Sequence, residues 1–136
     1  MKKDIPVIKV EDIAIAVAPR TDDFENDLLW DVYLINLKDE PIKNVLINST
    51  GYGFRNDEKV KTSTFRYFFD EIGPLQTVVI EAIQTELFDI THEYWISFTM
   101  NDNYLFDKKY TFVSGSISRD HFTRIPFLDV HGVMIK

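Results

Sequence analysis

The sequence predicts an all-β fold, an immunoglobulin-like antiparallel sandwich of about seven or eight strands, and three observations carry that reading. Apolar residues recur with period two, so that alternate side chains face one way. The runs are filled by β-branched and aromatic residues, which suit a pleated, half-buried surface. Short polar turn clusters separate the runs, and almost no 3.6-residue period competes with them.

Taken in chain order, a first strand is expected near residues 7–18, where Ile13 to Pro19 forms the longest apolar run. The second, near 28–37, sets Trp30, Val32 and Leu34 on one face and Asp31, Tyr33 and Ile35 on the other. Lys38-Asp39-Glu40-Pro41 closes it, and a third strand follows over 42–50. Asn56-Asp57-Glu58 marks the turn into a strand near 60–69. Residues 62–72 fit two periods: Phe65, Phe68, Phe69 and Ile72 match a helical face, whereas Phe65, Tyr67 and Phe69 match a strand. The strand is the favoured reading, and Gly73-Pro74 ends the element in either case. A strand over 75–84 leads into a short helical turn around Thr85 to Asp89. Near 93–100, Tyr94, Ile96, Phe98 and Met100 face inward, and Trp95, Ser97 and Thr99 outward. Asn101-Asp102-Asn103 reads as a hairpin turn into 104–113, where Tyr104, Phe106, Tyr110 and Phe112 alternate against Asp107, Lys109 and Thr111. The last strand is expected over 125–135. The run from Leu87 to Ile96 fits a loose tyrosine corner, with Tyr94 at a strand start bonding back into the turn before it.

Length places residues 1–136 in one domain, with no linker or internal repeat to divide them. The chain is 45% hydrophobic, with eleven Phe and six Tyr, enough for a core without staples. It has no cysteine, which removes disulfides, thiolate zinc sites and Cys nucleophiles. Met1-Lys2-Lys3-Asp4 is followed by no apolar leader, and no run is long enough to span a bilayer as a helix. A soluble cytoplasmic protein with no membrane partner is therefore expected. A net charge of −7 with scattered basic residues argues against nucleic acid as a partner.

No catalytic signature rises above this background: there is no G-x-S-x-G, H-E-x-x-H or calcium loop. No cofactor or metal is expected. His121 and His131 with Asp120 and Asp129 are the only candidate ligand set by spacing, and a surface set without ligand is their ordinary meaning. The segment Ser49-Thr50-Gly51-Tyr52-Gly53-Phe54-Arg55 stands out more. Two glycines around an aromatic suggest special backbone geometry that presents Tyr52 and Phe54 beside Arg55, a composition typical of protein-binding hot spots. The other reading of the same residues is that both rings cap the end of the core.

The strings Trp30 to Asn36, Pro41 to Asn48, Gly51-Tyr52-Gly53, Glu86-Leu87-Phe88-Asp89, Glu93 to Phe98 and Asp107-Lys108-Lys109-Tyr110 together resemble a small family of uncharacterised bacterial cytoplasmic proteins, over nearly the full length. Members have sometimes carried a phenylalanyl-tRNA synthetase subunit label. The resemblance implies membership and no activity or catalytic residues. The acidic charge and the five scattered arginines, Arg20, Arg55, Arg66, Arg119 and Arg124, give that label no support. The expected function is a non-enzymatic binding module that recognises another protein through Tyr52, Phe54 and Arg55 or a strand edge. The alternatives are a small-molecule binder or enzyme with a cleft, using His121, His131 and Asp129, and an accessory to the synthetase.

Overall fold

A computed structural model describes residues 9–20, 27–100 and 104–136. The alternating runs become strands: β1 (Ile13–Pro19), β2 (Leu29–Asn36), β3 (Ile42–Arg55), β4 (Glu58–Lys61), β5 (Phe65–Ile72), β6 (Thr77–Gln84), β7 (Thr91–Thr99), β8 (Leu105–Phe112), β9 (Thr123–Ile125) and β10 (Val130–Ile135). They form two antiparallel sheets packed as a sandwich, one ordered β6-β2-β1-β10-β9 and the other β4-β3-β7-β8, with β5 also on β3. No α-helix occurs among the described residues, and no helix is long and apolar enough to cross a membrane. The short helical turn expected at Thr85 to Asp89 is a 3-10 turn over those residues.

The third strand, expected over 42–50, runs on to Arg55, and three further boundaries differ from the sequence reading, each for a local reason. The strand expected near 60–69 is two strands sharing one long neighbour: β5 lies against Ile42–Ser49 of β3 and β4 against Tyr52–Arg55. The break begins at a two-residue hairpin in which Asn56 and Asp57 both hold positive φ, 51° and 64°, as a primed turn requires. The strand expected over 125–135 is likewise divided, by positive φ at Phe127 and Asp129. The first strand starts only at Ile13, after Asp12 at φ 59°. The ambiguous stretch is strand β5 over Phe65–Ile72. The Asn101-Asp102-Asn103 turn lies outside the described residues.

The interior faces meet as the alternation requires. Ile13, Ile15, Val17, Trp30, Val32 and Leu34 of the first sheet pack against Val45, Ile47, Tyr94, Ile96 and Phe98 of the second. The Tyr110 hydroxyl crosses the sandwich to donate to the Ile13 carbonyl at 2.7 Å. At one end the fully buried Asn36 side chain donates to the carbonyls of Glu40, Ile72 and Gly73 and accepts from the Lys38 amide. It ties the β2–β3 connection to the β5–β6 connection and satisfies backbone groups that would otherwise be orphaned. A second apolar cluster was not anticipated: the outer face of the first sheet offers Ala14, Ala16 and Ile35, which Ile125, Leu128 and Val130 cover.

Trp30 anchors the opposite end. Its ring meets Phe88 and Phe122 edge-on at 4.9 and 5.4 Å, its indole N–H donates to Asp27, and the Arg119 guanidinium lies over its face. Trp30→Ala is expected to cost about 3–5 kcal/mol, whereas Ser97→Ala on the outer face of β7 stays within about 0.5 kcal/mol. Urea unfolding of the two variants checks this, and equal losses would mean that the inward and outward faces are misassigned.

Candidate functional site

Three places can be built from the residues upward: the sequence-selected segment at the end of β3, the histidine-bearing hollow near β10, and a polar hollow between the sheets.

Along the end of β3, alternation separates the three residues selected from the sequence. Tyr52 and Phe54 point out of the sandwich, 38% and 71% exposed. Arg55 has the opposite parity and reaches the 3-10 turn, where its guanidinium clasps both Asp89 carboxylate oxygens at 3.0 and 2.7 Å and the Glu86 carbonyl at 2.7 Å. That clasp holds the Asp89 carboxyl below its ordinary range, through the Arg55 hydrogen bonds first and its charge second. Arg55 is therefore a fastening for the turn, and it does not stand beside the two rings. The glycines also differ from expectation. Neither has positive φ. A Cβ at Gly53 would meet Ile90 at 3.0 Å, and one at Gly51 would meet Thr62 at 3.0 Å and His92 Nδ1 at 3.2 Å. They are small because Ile90 and His92 lie across the strand.

The outer face that carries Tyr52 and Phe54 carries more than the sequence reading assigned to the site. In register on the same face stand Leu46 opposite Phe68, Trp95 opposite Asn48, and Leu105 opposite Thr99. Phe68 is 59% exposed and Trp95 48%. Lys61 lies opposite Tyr52, Lys59 opposite Phe54 and Arg66 opposite Asn48, and these three make no ion pair among the described residues. Lys109 lies over the Trp95 ring and pairs with Glu93.

Near β10, Asp129 and His131 line one hollow of about 380 Å³ with Arg119 and Phe122. Asp129 pairs with Arg124 at 3.0 Å, while His121 stands apart, its ring bonded to the Ser116 carbonyl through Nδ1. The set proposed from the sequence is thus only partly brought together. Among the described residues no three His, Asp or Glu side chains gather as a metal-binding group.

The polar hollow is the feature that sequence reasoning missed. Glu81, half-buried on β6, accepts three hydroxyl hydrogen bonds from the other sheet, each at 2.7 Å: Ser49 of β3 and Tyr94 of β7 on Oε2, and Tyr67 of β5 on Oε1. Burial, and then the carboxylate's charge and hydrogen bonds, push the phenols of Tyr67 and Tyr94 well above their ordinary value. Tyr94 is consequently no tyrosine corner: its hydroxyl goes across the sandwich. The residue that bonds back into the 3-10 turn is His92, whose Nε2 lies 2.7 Å from the Leu87 carbonyl. A carbonyl only accepts, so Nε2 carries a proton, and in that tautomer Nδ1 is the acceptor nitrogen. Beside these groups is a hollow of about 110 Å³, with Ser49, Glu81 and His92 on its polar side and Phe65, Ile83 and Leu87 on its apolar side.

Comparison with protein families, with curated proteins and with solved structures found no match to this chain.

The raised phenols fix the sign of an alkaline response. Groups favoured in the protonated form on folding leave stability intact below about pH 10, the free phenol value, and withdraw it as pH rises through their folded-state values. Absorbance titration near 295 nm is expected to show that Tyr67, Tyr94 and Tyr110, all raised by burial, ionise later than free tyrosine. Ionisation of every tyrosine near pH 10 with the fold intact would contradict the assignment.

Proposed function

We propose that this protein is a non-enzymatic module that binds another protein through the outer face of the β3–β5–β7–β8 sheet. One observation carries the reading: six apolar side chains, Leu46, Tyr52, Phe54, Phe68, Trp95 and Leu105, are exposed on that one face. The first sheet's outer face has its own cover in Ile125, Leu128 and Val130; this face has none among the described residues. Contiguous exposed apolar surface marks interaction sites, and aromatic residues dominate their energetics. The partner's chemistry follows from the rim. Lys59, Lys61 and Arg66 without ion pairs favour an acidic segment bearing apolar anchors, even though the whole chain carries −7.

The strand order supports reading the sandwich as immunoglobulin-like, with β1, β2 and β6 in the places of strands A, B and E, and β3, β7 and β8 in those of C, F and G. On that reading the proposed face is the outer surface of the C-F-G sheet. Membership in the bacterial family, supported by the quoted strings, and with it a cytoplasmic location are part of the same proposal.

Peptide display against the full chain tests the proposal. Enriched peptides are expected to be acidic with aromatic or aliphatic anchors. Tyr52→Ala, Phe54→Ala and Trp95→Ala should each weaken the selected peptide by about tenfold or more while leaving stability within about 1 kcal/mol. Enrichment of basic peptides, or binding untouched by all three substitutions, would overturn it.

A further inference from the structure

We propose that the hollow beside Glu81 is a binding site for a small primary ammonium group. The chemistry of its walls sets the ligand class. Glu81 has accepted three hydrogen bonds, and a carboxylate offers about four acceptor positions, so Oε1, with only the Tyr67 bond, keeps one open. His92 is 95% buried, being 5% exposed; with its Nε2–H committed to Leu87, its Nδ1 is the acceptor nitrogen of that tautomer and has no hydrogen bond among the described residues. That nitrogen would stand 3.2 Å from a Cβ added at Gly51, and both residues line the hollow.

Two acceptors, one of them anionic, line a space whose nearby hydroxyl donors are already spent. Ser49, Tyr67 and Tyr94 all donate to Glu81, and Thr62 Oγ1 accepts from the Gly51 amide while donating to the Ser63 carbonyl. The site therefore asks for a donor with positive charge, and has little to give an anion. An ammonium supplies three N–H donors and suits both Glu81 and His92. The apolar walls from Phe65, Ile83 and Leu87 fit a short alkyl stem. A volume of about 110 Å³ equals that of three or four waters, which bounds the ligand at a few heavy atoms. Phe65, which lines the hollow, is 53% exposed at the start of β5, so the amine can come from a free molecule or from the end of a lysine side chain.

The test is a ¹H–¹⁵N NMR titration of the full chain with n-propylammonium chloride and, separately, with Nα-acetyl-lysine methylamide, against sodium chloride and sodium butyrate. A ligand of this size is expected to bind with Kd on the order of 1 mM. Saturable shifts should centre on the Gly51, Ile83 and His92 amides, with movement of the His92 Nδ1 resonance. Saturation by propylammonium supports a free amine as the ligand, and saturation only by the lysine derivative supports a protein side chain. Glu81→Gln should weaken either at least tenfold. Should Glu81→Gln fail to fold, Gly51→Ala, which places a methyl beside His92 Nδ1 without touching Glu81, should do the same. Shifts that rise linearly and match those from sodium chloride, or binding equal in wild type and Gly51→Ala, would overturn the proposal.

Discussion

One carboxylate couples the two layers. Glu81 lies on an edge strand of the first sheet and gathers hydroxyls from three strands of the second. Tyr94 is fully buried and Ser49 nearly so, and a buried hydroxyl without a partner costs about 1–3 kcal/mol. Each of the three therefore needs an acceptor, and a single carboxylate has the capacity to serve them all. The arrangement also fixes position. A slip of β6 by one residue would turn Glu81 to solvent and orphan the hydroxyls, so the edge strand has one permitted register.

This node explains the division between what could be read from the sequence and what could not. Strand interiors were legible wherever strict alternation held: Trp30, Val32 and Leu34, or Tyr94, Ile96 and Phe98, lie in the core as their spacing requires. Glu81 was hidden because β6 breaks that rule. The pairing with β2 shifts between Val32 and Tyr33, so Ile80 is an extra residue and both it and Glu81 turn inward. By plain alternation Val78, Ile80 and Ala82 would share the inner face, leaving Glu81 as an ordinary solvated acid. The available signal was a lone acid inside the apolar run Thr77 to Ile83, in the same parity as Ile83.

The candidate surface was half legible for a related reason. Tyr52 and Phe54 share a face in any strand, and the sequence placed them together. Arg55, one residue on, cannot share that face, and the structure spends it on Asp89. Leu46, Phe68 and Trp95 joined the surface only once the pairing of β3 with β5 and β7 was known, because register across strands is not written in any one of them. The glycines had the reverse fate: they signal close packing by Ile90 and His92, a contact between segments distant in sequence. The two sheets end up unlike on their outer faces, one covered by Ile125 of β9, Val130 of β10 and Leu128 between them, and the other bare among the described residues.

The most direct measurement of the Glu81 node is a double-mutant cycle in urea, with Glu81→Ala, Tyr94→Phe and the pair. If the carboxylate is the shared acceptor that couples the sheets, the single losses are not additive: once Glu81 is gone, removing the Tyr94 hydroxyl relieves an orphaned group, and the coupling energy is about 1–3 kcal/mol. Additive losses, with coupling near zero, would mean that the hydroxyls do not depend on Glu81 and that the carboxylate does not couple the sheets.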